Sequence, residues 1–419
     1  MTAGLAVGQV LTHGPVVGGV TAASANVFVR TDQAASVALR YGTDPTLTTY
    51  LTSAPVNTKH KDDFTRIIPI AGLSAELPYY LNVVVNGVPQ LTAPYPSFTT
   101  FPRGDAKRNF NFVVLTDFTN TQDLTGPTQT FASAAAENPA FAFIGGDFDH
   151  RNPTRTPAKR NMFKDLYSPN TPYMGDFVNL ILRKIPIIHQ WDDHDSGANG
   201  ADKTYPNWTL SQQVFQEYVP GYPLPSVTPG IWQQFSYAQA DFFVLDCRSQ
   251  RDVATDPDDA DKSMLDGNNL GATGELQWLE NGLLASTAQW KIIFTSVVTN
   301  PTTKFPDDWA GYQTEWNALK GFITTNNIQG IVFISGDLHL GAIDNGVAAG
   351  FPEMCVSPPN GLGGCPTGLH GTWSEGFYRD STCRGYGLVT ISSNPDQLIL
   401  EVADEFGNSK ISYTLSNPK

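Results

Sequence analysis

The sequence predicts a mixed α/β protein with an all-β region at its N-terminus. Three observations carry this. Segments before about residue 104 alternate in polarity, with turn residues between them. Segments after it alternate between continuous apolar runs and runs of helical period. The chain has 419 residues, 41% of them hydrophobic, which is enough to bury more than one core.

Residues 26–30 and 36–41 alternate in polarity, and 79–85 does so in part before the turn signal Asn86-Gly87. Turn residues recur about every ten positions, as in a small sandwich. An Ig- or fibronectin-like β domain is therefore expected over 1–104, closed by a linker with Pro94, Pro96 and Pro102-Arg103-Gly104-Asp105. A second domain is expected over 105–419. Its strands are placed at 110–116, 140–145, 185–189, 241–246, 290–296 and 328–335. Its helices are placed at 127–137, 158–167, 174–184, 209–218, 273–285 and 312–325. Fully apolar strands alternating with helices indicate a buried sheet between helical layers. The tail, 387–415, returns to alternating strands around Gly407-Asn408. There are no internal repeats and no low-complexity tract.

Lys plus Arg number 26 and Asp plus Glu 40, a net charge of −14. Such a surface repels phosphate backbones, so nucleic acid is not expected as a structural partner. A small anionic substrate is still admissible, because bound cations reverse the field locally. Charged residues are 16% of the chain, with 37 Gly and 30 Pro. This loop-rich composition with few lysines reads as that of a secreted or periplasmic protein. Met1-Thr2-Ala3-Gly4-Leu5 has no basic n-region or long apolar run, as expected of a mature form with an added start Met. No run approaches 18 apolar residues, so no membrane span is expected. Cys247 lies in an apolar run and reads as an inert core thiol. One bridge is expected among Cys355, Cys365 and Cys383, with the pairing open.

Polar clusters follow four of the apolar strands: Asp117-Phe118-Thr119-Asn120, Asp147-Phe148-Asp149-His150-Arg151, Trp191-Asp192-Asp193-His194-Asp195 and Asp337-Leu338-His339. In open α/β sheets, ligands bind where the carboxyl ends of strands converge. Carboxylates gathered in one crevice cannot all stay ionised without cations. Two adjacent cations there would clamp a phosphate and activate a water. The Gly145-Gly146 pair and Gly336 permit sharp backbone turns at two of these ends.

The order of these motifs resembles the calcineurin-like metallophosphoesterase superfamily. More closely, Trp191-Asp192-Asp193-His194-Asp195 with Asn199 after it, Ser335-Gly336-Asp337-Leu338-His339 and Leu245-Asp246-Cys247-Arg248 are similar to motifs of the alkaline phosphatase D (PhoD)-like family. The resemblance implies a four-layer, two-sheet catalytic domain behind a β domain. It implies hydrolysis of phosphomonoesters or phosphodiesters by a metal-bound hydroxide at a two-metal centre. Asp147 would bridge both ions. Asp117, His150 and His339 would complete the first site, and Asp193 and Asp337 the second. His194 would serve as the proton donor, oriented by Asp195, and Asn199 would bind a phosphate oxygen or metal. Arg151 or Arg248 would neutralise substrate charge. The chain departs from the pattern at three places. Thr119 stands where the superfamily has a His, the Cys that PhoD carries in its first motif is absent, and no His follows strand 290–296; His150 itself replaces a Tyr of PhoD-like proteins. The resemblance implies an iron–calcium pair. The residues themselves suit Fe, Mn or Zn at the first site and Ca, Mg or Mn at the all-oxygen second site.

Plainer roles are expected elsewhere. His189 reads as a core histidine, and His13, His60 and His370 as surface or loop residues. Asp149 and Asp192 read as supporting groups, the acidic run 252–261 as a solvated loop, and Trp232, Phe235 and Tyr237 as packing. Two rival functions remain: a phospholipase-type diesterase acting on lipid headgroups, and a catalytically silent, metal-stabilised binding protein. Oligomeric state is not legible.

Overall fold

A computed structural model describes residues 9–104, 106–121, 123–124, 126–361, 371–378 and 381–416. Cys365 and His370 lie outside these residues.

Two large sheets carry the fold. In the nine-stranded sheet the strands Phe110–Leu115, Ala142–Gly145 and Ile187–Gln190 are parallel neighbours, in register at Val113↔Ala142 and Ala142↔Ile187. In the seven-stranded sheet the strands Ala240–Val244, Trp290–Phe294, Ile331–Ser335 and Pro352–Cys355 run parallel. These strands are apolar on both faces because both faces are covered. Phe112, Phe143, Phe242, Phe294, Val332 and Leu400 share one core between the sheets, where the Phe143 and Phe294 rings stack. The helices Thr130–Ala136, Thr156–Tyr167 and Trp208–Tyr218, with the π-wound segment Phe177–Leu182, cover the outer face of the larger sheet. Glu275–Ala285 and Gln313–Thr325 cover the outer face of the other. The layers thus run helix, sheet, sheet, helix.

The first 104 residues do not form a free-standing sandwich. Leu11–Gly18, Ser24–Thr31 and Thr65–Ala71 extend the nine-stranded sheet, joined to it by the parallel pairing Gly18↔Ile187. Ser36–Gly42 and Pro78–Val85 form the centre of a third sheet. Val27, Ile68, Leu39 and Leu81 pack in the same core that fills the space between the two large sheets. The expected boundary at 104 therefore ends a region whose hydrogen bonds and core continue into the rest of the chain.

Cys247 and Cys355 are buried free thiols, and Cys383 is disulfide-bonded. His189 is fully buried against Phe148, Phe163 and Phe215, and burial pushes its pKa down to about 3. His60 is exposed, and His13 is half-buried on its strand.

Candidate metal centre

The parallel strands of both sheets end on one rim. Gln190 Nε2 ties them together, donating to Leu245 O at 2.6 Å and Phe294 O at 3.1 Å. Beyond the strand ends the backbone turns sharply. Asp117, Asp147, Asp337 and His339 all have left-handed φ, between 48° and 68°. Such conformations cost energy in non-glycine residues and gather where function requires them. Gly336 allows a close approach, since a Cβ there would lie 2.2 Å from Thr116 Oγ1.

On one side of Asp147 two imidazole nitrogens and two carboxyls converge. His150 Nε2 lies 3.5 Å from Asp147 Oδ2 and 3.3 Å from His339 Nε2. His339 Nε2 lies 3.9 Å from Asp117 Oδ1. His150 Nδ1–H donates to Phe118 O at 2.9 Å, which leaves its Nε2 lone pair facing the cluster. Asp147 Oδ2 and Asp337 Oδ2 are buried without a hydrogen-bond partner. Burial, then neighbouring Asp337, holds the Asp117 carboxyl well above the usual range. Burial, then Asp193 and Asp192, does the same to Asp147. Burial pushes His150 down to about 3, so its ring is neutral. Neutral imidazoles and carboxylates that cannot ionise together fit a cation between them.

The other side carries cations of its own. Arg248 has a fully buried side chain and grips Asp192 through Nε and Nη2, with the Nη2 contact at 3.0 Å. Ser296 Oγ adds a bond to Asp192 at 2.8 Å. Asp193 accepts from the amides of His194 at 2.8 Å and Gly200 at 2.5 Å. Burial would raise its pKa, but Arg248 and His194 outweigh that and hold it low. Lys304 Nζ lies 2.6 Å from Asp337 Oδ1 and 3.5 Å from Asp307 Oδ2.

Among the described residues, three groups have atoms close enough to share a metal: Asp147, His150 and His339; Asp147, Asp193 and His194; and Asp147, Asp192 and Asp337. Asp147 belongs to all three. The expected second set of Asp147, Asp193 and Asp337 is thus divided, with His194 or Asp192 as the third member. The acidic run 252–261 enters none of them.

Several expected roles change. Asp195 does not orient His194. It is the third residue of the short helix Asp193–Ser196, and its oxygens accept from the amides of Asp147 at 2.7 Å, Phe148 at 2.9 Å and Asp192 at 2.9 Å. His194 Nδ1–H instead donates to Asn152 Oδ1 at 2.8 Å. Asn199 is exposed in the turn after this helix. Arg151 is held by Asp149 at 2.7 Å and Asp165 at 2.6 Å, and Arg248 by Asp192, so neither is a free substrate cation. Thr119 binds Asn360 Oδ1 through its amide at 2.9 Å. Asn152 and Lys304 are the residues that sequence reading missed.

The PhoD-like phosphatase family profile matches residues 145–354, half of the chain. Alkaline phosphatase D of Bacillus subtilis (strain 168) is 30% identical over 181 residues, 37% of this chain and 31% of that protein. The match therefore spans less than a third of that relative's length. The solved structure of PhoD superposes with a TM-score of 0.76 at 17% identity, covering 99% of this chain and 92% of the other. A purple acid phosphatase from yellow lupin (Lupinus luteus) seeds superposes at 0.65 with 13% identity, covering 96% and 74%. These two structures show a common fold. The sequence match runs from Gly145, at the end of one central strand, to Met354 and takes in Asp147, His150, Asp193, His194, Asp337 and His339; the chain belongs to the PhoD-like phosphatase family.

Proposed function

We propose that this protein is a secreted or periplasmic metal-dependent hydrolase of small phosphate esters, working at a two-metal centre around Asp147. The observation that carries the reading is the pair of buried, unpartnered oxygens, Asp147 Oδ2 and Asp337 Oδ2, beside the facing Nε2 atoms of His150 and His339. Asp117, Asp147, His150 and His339 would hold the first ion, and iron, manganese or zinc suits that nitrogen and oxygen set. Asp147 would share the second ion with Asp337 or with Asp193, which fall in separate groups, and calcium, magnesium or manganese suits such oxygen ligands. Bound there, the ions would supply Lewis-acid charge and an acidified water.

The chain's own residues do the rest. Asn152 accepts Nδ1–H of His194 and leaves Nε2 free, so that the ring, when it carries its second proton on Nε2, would give that proton to the leaving oxygen. Asp195 accepts from three amides and so sets the backbone that carries Asp147 and Asp192. No helix among the described residues is long and apolar enough to cross a membrane. The test compares Asp147→Asn and His194→Ala with the parent protein on an aryl phosphate and an aryl phosphodiester, with metal content measured on the same samples. Both variants should lose turnover, and Asp147→Asn should also lose metal. Unchanged turnover in both rejects the reading.

A further inference from the structure

The two cations on the Asp192–Asp337 side are not equivalent. The Arg248 side chain is 0% exposed and is consumed by Asp192 and Asp307. The Lys304 side chain is 32% exposed, at the open edge of the centre. Its backbone is anchored, because its amide donates to Asp308 Oδ2 at 2.8 Å and Asp308 is fully buried. An ammonium has three N–H donors. Asp337 and Asp307 account for two of them, at 2.6 and 3.5 Å. Lys304 takes Asp337 Oδ1 and leaves Oδ2 unpartnered, so its contact does not block a cation at Oδ2. His339, with its side chain 44% exposed, shares this opening. Lys304 is near enough to His194 and His339 to oppose the protonation of each.

We propose that Lys304 is a substrate-binding cation that contacts a non-bridging phosphoryl oxygen and favours dianionic monoesters over monoanionic diesters. This rests on the phosphoester reading above and names the ester class that the site prefers. A phosphate monoester carries close to two negative charges at neutral pH, because its second pKa is about 6. A diester carries one. The two carboxylates leave one ammonium proton of Lys304 uncommitted on a side chain that is 32% exposed, so the extra anionic oxygen of a monoester would gain a charge-assisted bond that the diester lacks.

The test uses the metal-loaded protein and its Lys304→Gln and Lys304→Arg variants, with metal content measured on every sample. For an aryl phosphate, Lys304→Gln should raise KM about tenfold with kcat little changed. For an aryl phosphodiester, kcat/KM should move by less than about threefold. Lys304→Arg should restore most of the monoester KM. Inorganic phosphate, titrated calorimetrically, should bind the Gln variant about tenfold more weakly. Equal losses on both esters, loss of metal, or unchanged phosphate binding would show that Lys304 only props Asp337, and would overturn the proposal. A parent protein that hydrolyses neither ester defeats the phosphoester reading instead. The phosphate titration still reads Lys304 in that case, so the two failures are distinguishable.

Discussion

On one side of Asp147 stand Asp117, His150 and His339; on the other stand Asp192, Asp193 and Asp337. Both sides bury carboxylates at strand ends, yet they meet the resulting charge differently. Asp192 is closed by Arg248 and Ser296, and Asp193 by two amides. Asp147 Oδ2 has no hydrogen-bond partner, and two imidazole nitrogens face it. Burying a charge is costly unless it is paired. The Asp192 side satisfies much of this with Arg248 and Lys304, leaving Asp337 Oδ2 open, whereas among the described residues the His150 side has no such ion pair with Lys or Arg and leaves its charge to an ion from solution.

Substitutions can break that comparison in order of expected effect. Asp147→Asn should cut turnover on the order of a thousandfold and release metal from both sites. Turnover kept within tenfold at full metal content would show that Asp147 is not the shared ligand. Arg248→Met should act on folding rather than on metal. It leaves Asp192 buried and unpaired, at a cost of about 3–5 kcal/mol. Chemical denaturation in the presence of chelator should show the loss, because the defect does not depend on an ion. His150→Ala should do the reverse. Metal affinity on its side should fall by about 100-fold, while the chelated protein unfolds at the parent's denaturant concentration. A chelator titration followed by elemental analysis reads this. Asn152→Ala should have the smallest effect, a kcat lower by roughly tenfold with KM unchanged, since it frees the His194 ring without removing it.

The sequence marked the candidate ligands because continuous apolar runs mark the strands, and the polar clusters begin where those runs end. That reasoning brought together Asp117, Asp147, His150 and His339 from separated stretches of chain. It failed where a partner lies far along the chain or where local geometry intervenes. Asp195 follows His194 directly, but adjacent residues on a helix do not face each other. The true partner, Asn152, is 42 positions earlier. Lys304 carried no motif, and only the folded loop brings its long side chain to Asp337. The strand Leu11–Gly18 was also missed. It contains Gly14 and Pro15, and its register breaks between His13 and Val16, so it shows no clean alternation.

The pairing Gly18↔Ile187 makes the N-terminal region a splint for the candidate metal centre. Ile187–Gln190 is the strand that delivers Asp192, Asp193 and His194 to the rim. A chain shortened to begin at residue 105 would leave that strand as a raw border of the sheet, with unmet amides open to neighbouring molecules. Such a fragment should clump rather than behave as a smaller copy of the protein, because residues 11–18 brace the strand behind the Asp192–His194 loop.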